Sequence, residues 1–347
     1  MAEMMKFGDF ASFRYGKMPI KKKITESGKY PIYSGYRYVG FYDEYNTEAD
    51  QLIIVARGVG GTGDVKLTKD RCYLTNLSIA ANIDSNVVLS EYLYYYFKQR
   101  SLRYLDSGSA QSQITISDLE RVMIPIPPLS DQKAICSYLK LLDGKIQNNK
   151  KINENLEQQA QAIYCDMFIT NANPSWQLGR LSDLIAVRYG KNHKKLADGI
   201  YPVYGSGGIM RYAEKPLYDK ESVLIPRKGT LNNVMYVNKP FWSVDTMFFT
   251  EMKLPNVAKF VFHFVKSKDL ASLNAGSAVP SMTTDILNAM ELSIPDANTL
   301  YKFENIVAPM YQAMQQNTQQ SSKLAELRDS LLPRLMSGEI DVTDIQI

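Results

Sequence analysis

Few side chains in this sequence could carry covalent or metal chemistry. Among 347 residues there are two histidines, His193 and His263, and three cysteines, Cys72, Cys136 and Cys165. Two histidines are too few for a multi-histidine metal site, and neither has a carboxylate or cysteine spaced for a triad. The cysteines are odd in number and lack a CxxC spacing, so they read as reduced thiols of a cytoplasmic protein, not a disulfide framework or zinc site. His263 sits in the apolar run Phe260-Val261-Phe262-His263-Phe264 and reads as a packed core residue, whereas His193 lies among lysines and could touch a phosphate. Gly58-Val59-Gly60-Gly61-Thr62-Gly63 has the G-x-G-x-x-G form. A dinucleotide site needs a helix to begin there, offering its N-terminus to the pyrophosphate. The strand-like Asp64-Val65-Lys66-Leu67-Thr68 follows instead, so the glycines read as a turn. No Walker lysine loop, HExxH or GxSxG occurs. The lack of any catalytic or metal-binding set favours a binding protein.

The side chains that do cluster are basic. Lys17 and Lys21-Lys22-Lys23 follow Arg14, and Lys191, Lys194 and Lys195 follow Arg188. Cations interleaved with tyrosines suit phosphate contact combined with base-edge contact. For any single lysine a solvated surface is the ordinary account; the recurrence of the cluster sets DNA contact beside it. Arg57, Arg227 and Lys228, each just after an apolar strand-like run, and the tyrosine–glycine loops around Tyr36 and Gly207 complete the candidate DNA-binding set.

These clusters recur because the chain is one unit written twice. Arg14-Tyr15-Gly16-Lys17 returns as Arg188-Tyr189-Gly190-Lys191, and Tyr30-Pro31-Ile32-Tyr33 as Tyr201-Pro202-Val203-Tyr204. Leu52-Ile53-Ile54-Val55-Ala56-Arg57 is echoed by Val223-Leu224-Ile225-Pro226-Arg227, and Gly108-Ser109-Ala110 by Gly276-Ser277-Ala278. Each copy opens with short β-like runs separated by turn residues, with helices expected around 90–103 and 256–268. Each then changes character to a long helix. In the first helix Ile135, Leu139, Leu142, Ile146, Asn149, Asn153, Leu156, Ala160, Ile163 and Met167 form a heptad seam. In the second the seam is Phe303, Val307, Met310, Met314, Asn317, Ser321, Leu324, Arg328, Leu331 and Leu335. Ser130 and Asn298 are the expected N-caps, and Pro309 is expected to kink the second helix.

A lone helix would leave its seam in water. The two helices are therefore expected to pair antiparallel, with Asn149 facing Asn317, Ile135 facing Leu331, Leu142 facing Leu324, Leu156 facing Met310 and Ile163 facing Phe303. The fold class this predicts is α+β: two similar globular domains, a pair of long antiparallel coiled-coil helices and a pseudo-twofold internal repeat. The expected boundaries are 1–128 for the first globular domain, 129–170 for its helix, 171–297 for the second domain and 298–340 for its helix. The net charge of +4 is uneven, falling on the globular copies and leaving the helical segments neutral or acidic. No apolar run is long enough to span a membrane, and the first residues are not of signal-peptide type.

The end of the first globular copy runs through Ser117-Asp118-Leu119 and Ile124-Pro125-Ile126-Pro127-Pro128-Leu129-Ser130-Asp131-Gln132 into the long helix. This segment resembles the specificity subunit of type I restriction–modification systems, in which a target recognition domain ends in a Pro-Pro-Leu segment before a spacer helix. Tyr201-Pro202-Val203-Tyr204-Gly205-Ser206-Gly207-Gly208-Ile209 and the stretch Leu324–Ile340 resemble the same family, so the likeness covers nearly the whole chain. The second copy departs from it with Ile294-Pro295-Asp296, and with Val279-Pro280-Ser281 in place of Gln111-Ser112-Gln113, so its helix could begin differently.

The resemblance implies a non-catalytic subunit that binds a bipartite double-stranded DNA target, one half-site per recognition domain. It implies docking of two DNA methyltransferase (modification) subunits and, through them, restriction subunits. S-adenosylmethionine and ATP would then belong to those partners, with no cofactor or metal in this chain and no membrane association. Two other readings compete. One is a structural or adhesive tandem-repeat protein without a DNA role. The other is a self-contained methyltransferase, which would need an aromatic-flanked Asn/Asp-Pro-Pro motif that the sequence lacks.

Overall fold

The computed structural model describes residues 2–35, 37–58, 61–106, 112–273 and 281–340. The first copy runs β1 (Glu3–Lys6), α1 (Phe7–Phe10), β2 (Ala11–Tyr15), β3 (Tyr30–Ser34), β4 (Arg37–Tyr42), β5 (Leu52–Val55), β6 (Val65–Leu67), β7 (Tyr73–Leu74), β8 (Ser78–Ile83), α2 (Ser90–Gln99), α3 (Ile116–Glu120), β9 (Met123–Ile126) and the long α4 (Leu129–Cys165). The second runs β10 (Gln177–Arg180), α5 (Leu181–Leu184), β11 (Ile185–Tyr189), β12 (Asp198–Gly205), β13 (Gly208–Ala213), β14 (Ser222–Pro226), β15 (Met235–Val237), β16 (Trp242–Ser243), β17 (Met247–Met252), α6 (Ala258–Lys266), α7 (Thr284–Asn288), β18 (Glu291–Ile294) and the long α8 (Ala297–Ser337).

The repeat is a repeat of topology. In the first copy the sheets are β1-β9, β2-β8-β5-β6 and β4-β3-β7; in the second they are β10-β18, β11-β17-β14-β15 and β13-β12-β16, strand for strand the same order. Even the short parallel pairing recurs, Tyr33 with Leu74 and Tyr204 with Ser243.

The echoed apolar run has a physical reason. Side chains alternate across a strand, and β5 and β14 each sit between two cores. Leu52 and Ile54 enter the large core of the first copy, while Ile53 meets Leu74 in a smaller one. Val223 and Ile225 enter the large core of the second, and Leu224 its smaller one. A strand buried on both faces reads as continuous hydrophobic sequence.

The chain condenses into two compact units, Met1–Asn149 with Gln319–Ile347, and Lys150–Thr318. Each unit thus takes part of α4 and part of α8. In the first, Ile135, Leu139, Leu332 and Leu335 join the core that contains α2. In the second, Ala160, Tyr164, Phe303 and Val307 join the core that contains α6. The two helix segments in each unit are antiparallel. The first unit pairs Asp143 with Arg328 and Asn149 with Gln320 and Ser321. The second pairs Asn153 with Asn317, Thr318 and the Met314 carbonyl.

The register differs by one helical turn from the expected one. Asn149 faces Ser321, and Asn317 meets Asn153 through an Nδ2–Oδ1 bond of 2.9 Å. The same register sets Ile135 opposite Leu335 and Leu142 opposite Arg328 in the first unit, and Leu156 opposite Met314 and Ile163 opposite Val307 in the second. In this register every seam residue of one helix faces a seam residue of the other, whereas the expected register aligned only every second one, because a heptad seam steps alternately by three and four and a slide of one turn exchanges its two positions. The amide pairs and the Asp143–Arg328 bond distinguish the registers.

Both long helices begin at equivalent residues, but different chemistry secures them. In the first copy the buried Gln132 accepts from Leu89 N–H and donates to the Val87 and Pro127 carbonyls. In the second, Asp296 caps α8 by accepting from Thr299 N–H at 2.9 Å, replacing the expected cap Asn298. Ser130 likewise lies inside α4, after the Pro128 carbonyl has accepted the first bonds. The α8 helix continues through Pro309.

The contacts under the short helices are reversed in charge between copies. In the first unit Glu91 of α2 pairs with Lys140 of α4. At the equivalent place in the second, Lys259 of α6 pairs with Glu304 of α8 at 2.6 Å and with Glu221 at 3.0 Å. One helical turn on, Tyr95 donates to Asp143, which also accepts from Arg328. Its counterpart is neutral: His263 Nδ1–H donates to Gln161 Oε1 at 2.7 Å, and Tyr311 donates to Nε2 at 2.9 Å. Among the described residues no helix is long and apolar enough to cross a membrane.

Two stability predictions result. Lys259 is buried and donates to Glu304 Oε1, while the buried Glu304 Oε2 has no hydrogen-bond partner among the described residues, so Lys259→Ala leaves a largely buried carboxylate without its cation and is expected to destabilise the protein by about 3–5 kcal/mol. Lys140→Ala breaks an exposed pair and is expected to cost less than about 1 kcal/mol. Equal shifts in denaturant midpoint for the two variants would contradict this. Secondly, burial and the Lys266 cation pull the His263 pKa down to about 4. The unfolded chain therefore binds the extra proton first as pH falls, and stability drops from about pH 6.5 towards pH 4, by roughly 2–3 kcal/mol. In His263→Gln this part of the pH slope should vanish when unfolding is followed across that range.

Candidate nucleic-acid interface

The strand registers bring a set of loops to one rim of each globular unit. In the first copy Tyr15 pairs with Ile79, Val55 with Ser78 and Tyr33 with Leu74. The ends of β2, β3, β5 and β7 and the starts of β4 and β8 therefore converge. The second copy repeats this, with Tyr189 opposite Phe248, Pro226 opposite Met247 and Tyr204 opposite Ser243.

The Arg-Tyr-Gly-Lys motif is a rim-building device. A Cβ at Gly16 would lie 2.3 Å from the Leu74 carbonyl oxygen, and one at Gly190 would lie 2.0 Å from that of Val244. Only glycine lets the chain turn so close to the neighbouring strand. The following lysine is then fixed through its backbone. Lys17 N–H donates to the Leu74 carbonyl at 2.9 Å, and Lys191 N–H to that of Ser243 at 2.8 Å. Trp242 Nε1 also donates to the Lys191 carbonyl. Both lysine side chains are exposed.

The second cationic position of the rim follows β5 and β14. Ala56 and Arg57 N–H both donate to the Leu77 carbonyl, and Arg227 and Lys228 N–H both donate to that of Thr246. Arg57 bridges Gln113, and Lys228 bridges Ser281. The structural counterpart of Arg57 is therefore Lys228, whereas Arg227 corresponds to Ala56. The echo of Ala-Arg by Pro-Arg in the sequence is off by one residue. Arg227 is engaged within its own unit, its guanidinium 5.4 Å from the Tyr189 ring centroid and donating to the Asp245 carbonyl. Arg57 Nε is buried and makes no hydrogen bond among the described residues.

The hairpin turns reach the same rim. Ser206 accepts from Asn233 Nδ2 through its carbonyl at 2.7 Å, and its hydroxyl would stand 2.7 Å from a Cβ on Gly229. In the first copy a Cβ on Gly35 would lie 3.3 Å from the Arg57 carbonyl oxygen. Gly207 is exposed in its turn; Tyr36, its counterpart, lies outside the described residues, as do 107–111 and 274–280.

The remaining candidates lie elsewhere. Lys21–Lys23 form a 3-10 turn followed by Thr25, which bridges Phe41, while Ile20 N–H donates to the Tyr42 hydroxyl. Tyr42 pairs with Tyr30 at the base of the β3–β4 hairpin, away from its tip. Lys194 and Lys195 lie in a turn whose flanking His193 and Leu196 carbonyls accept from Arg211. These lysines flank the hairpins, while Lys17, Lys191, Arg57 and Lys228 belong to the rim. The sequence could not separate the groups, because all lie within ten residues of the Arg-Tyr-Gly-Lys motif or of an apolar strand.

Of the glycine-rich run after β5, residues 61–63 form a turn, while Val59 and Gly60 lie outside the described residues. Gly63 N–H donates to the Val55 carbonyl, Asp64 N–H to that of Gly61, and β6 follows with no helix. Among the described residues no group of three His, Cys, Asp or Glu is placed to hold a metal ion. The rim is suited to binding: fixed cations, exposed amides and hydroxyls, and hairpin edges.

Comparison with known proteins defines the class. The chain belongs to the family of type I restriction modification DNA specificity domains and carries the domain twice, over residues 2–158 and 173–321. It is 25% identical over 319 residues to the MjaIX type I restriction enzyme specificity subunit of Methanocaldococcus jannaschii, covering 78% of this chain and 74% of that one. It is 24% identical over 353 residues to a putative type I specificity subunit of Mycoplasma genitalium, covering 92% and 90%. The crystal structure of a type I restriction–modification S subunit from M. genitalium shares the fold, with a TM-score of 0.65 at 21% identity over 96% of this chain and 95% of that one. The chain is accordingly a DNA-specifying, non-catalytic component of a restriction–modification system.

Because Gly190 holds the rim strand against the Val244 carbonyl, Gly190→Ala is expected to destabilise the protein by about 2 kcal/mol or more, through forced backbone displacement. An unchanged thermal midpoint would show that the close approach is not required.

Proposed function

We propose that the chain reads a bipartite double-stranded DNA target, one half-site per recognition domain, and docks two DNA methyltransferase subunits, through which restriction subunits join. The observation that carries this reading is the duplicated rim. The same registers place a cation at Lys17 and Lys191 and another at Arg57 and Lys228, on loops otherwise different in composition. Fixed cations supply sequence-independent phosphate contact, and the variable loops between them supply readout. Two copies of one scaffold with different loops suit two different half-sites. S-adenosylmethionine and ATP belong to the partner subunits in this reading.

A duplex-binding assay over a range of salt concentrations tests it, using the full chain with its methyltransferase partner. Lys191→Ala with Lys228→Ala should weaken binding to every duplex by a similar factor. The slope of log affinity against log salt should fall by about 2, near 0.9 per lost phosphate contact. No sequence-selective retention of any duplex by the unmodified protein would refute the proposal and favour a tandem-repeat interaction protein.

A further inference from the structure

The rim supplies cations, but cations do not distinguish bases. The best candidates to do so are two positions just after each hairpin turn. In β4, Tyr38 and Val39 are 50% and 43% exposed; in β13, Ile209 and Met210 are 47% and 60% exposed. The registers make them equivalent: Tyr38 lies opposite Tyr33, and Ile209 opposite Tyr204, with Ser34–Arg37 and Gly205–Gly208 closing the respective turns. Both copies therefore place two large apolar side chains in solvent at one and the same place, and the residue types differ between copies.

Such an arrangement is a liability in a free protein. β4 and β13 are edge strands of their sheets, and exposed apolar edges invite aggregation unless something covers them. The second hairpin also fixes its apolar residue in position. A register shift falls between Val203 and Tyr204, and Met210 lies across Gly205, where a Cβ would stand 2.5 Å from the Met210 sulfur. The turn ahead of these residues is held to the loop bearing Lys228, through Asn233 and Ser206. The covering partner must therefore combine phosphates for the cations with apolar groups for the hairpin, within one hairpin width.

We infer that each hairpin enters the major groove of DNA and that Tyr38 and Val39 in one domain, and Ile209 and Met210 in the other, read thymine methyl groups. A two-stranded ribbon fits the major groove, and the thymine C5-methyl is the apolar group displayed there. This inference rests on the DNA-reading proposal above and assigns its base readout. The differing residues would give each half-site its own pattern of methyl contacts on a shared scaffold.

The test begins by selecting duplexes from a randomised library with the full chain and its methyltransferase partner. Thymines in the selected target are then replaced by uracil one at a time. Loss of a read methyl group should weaken binding roughly three- to fivefold. In a protein carrying Ile209→Ser with Met210→Ser, the uracil penalty should disappear in one half-site and persist in the other. Tyr38→Ser with Val39→Ser should do the converse, and Lys228→Ala should leave the penalties in place. Gly205→Ala, which displaces Met210 without altering charge, should reduce the penalty in the same half-site as the Ile209/Met210 variant. If both hairpin variants keep every uracil penalty of the unmodified chain, the inference is wrong although the DNA reading stands. It is also wrong if they keep the selected motif but lose the methyltransferase partner, since the hairpin would then be a protein-docking edge. Selection of no motif by the unmodified chain would overturn the DNA reading and this inference with it.

Discussion

The structure depends on burying the apolar seams of two long helices. Neither seam can remain in water, and neither is covered by its partner helix alone. In the second unit Tyr164, Phe303 and Val307 share a core with Phe260 of α6 and with Val223 and Ile225 of β14. In the first, Ile135, Leu139 and Leu335 share one with Tyr92 and Leu93 of α2 and with Leu52 and Ile54 of β5. The helices are thus structural parts of the recognition domains. A recognition domain without its helix segments would expose one face of its main core, which explains why the compact units divide within the helices and not at their starts.

The same scaffold is held by different polar chemistry in each copy. The first unit uses Glu91 with Lys140 and a Tyr95–Asp143–Arg328 chain; the second uses Lys259 with Glu304 and a neutral Gln161–His263–Tyr311 chain. Buried polar groups need their own partners. Each short helix therefore matches the helix segments of its own unit and would meet like charge or an unpaired donor on the other's. Two domains of one fold are made non-interchangeable by a few side chains beneath α2 and α6.

At the rim the logic is reversed, with backbone geometry repeated and side chains varied. Gly16 and Gly190 set the close approach, and the carbonyls of Leu74 and Ser243 fix the lysines that follow. Arg57 and Lys228 are placed by the same pair of backbone bonds. Between these fixed points the hairpins carry Tyr38 and Val39 in one copy and Ile209 and Met210 in the other. A frame that constrains the cations while leaving the hairpin edges free to differ can address two unrelated half-sites.

The sequence by itself determined the duplication, the α+β class and the long helices. These are carried by periodicity and by residue types whose constraints are local: glycine at a close approach, apolar runs in strands buried on both faces, heptads on a helix. It also determined where His263 belongs, because an imidazole inside an apolar helical run has only a packed environment available. Only the tertiary structure showed the polar contacts that hold the helix register, those of Asn149, Asn153 and Asn317 and the Asp143–Arg328 bond; the register itself was encoded in the two seams, whose alternating steps of three and four match position for position in that alignment. Only the tertiary structure separated the rim cations from Lys21–Lys23 and Lys194–Lys195, and identified Lys228, not Arg227, as the counterpart of Arg57. Those distinctions depend on backbone bonds between strands distant in sequence, and proximity along the chain cannot encode which end of a hairpin a lysine will occupy.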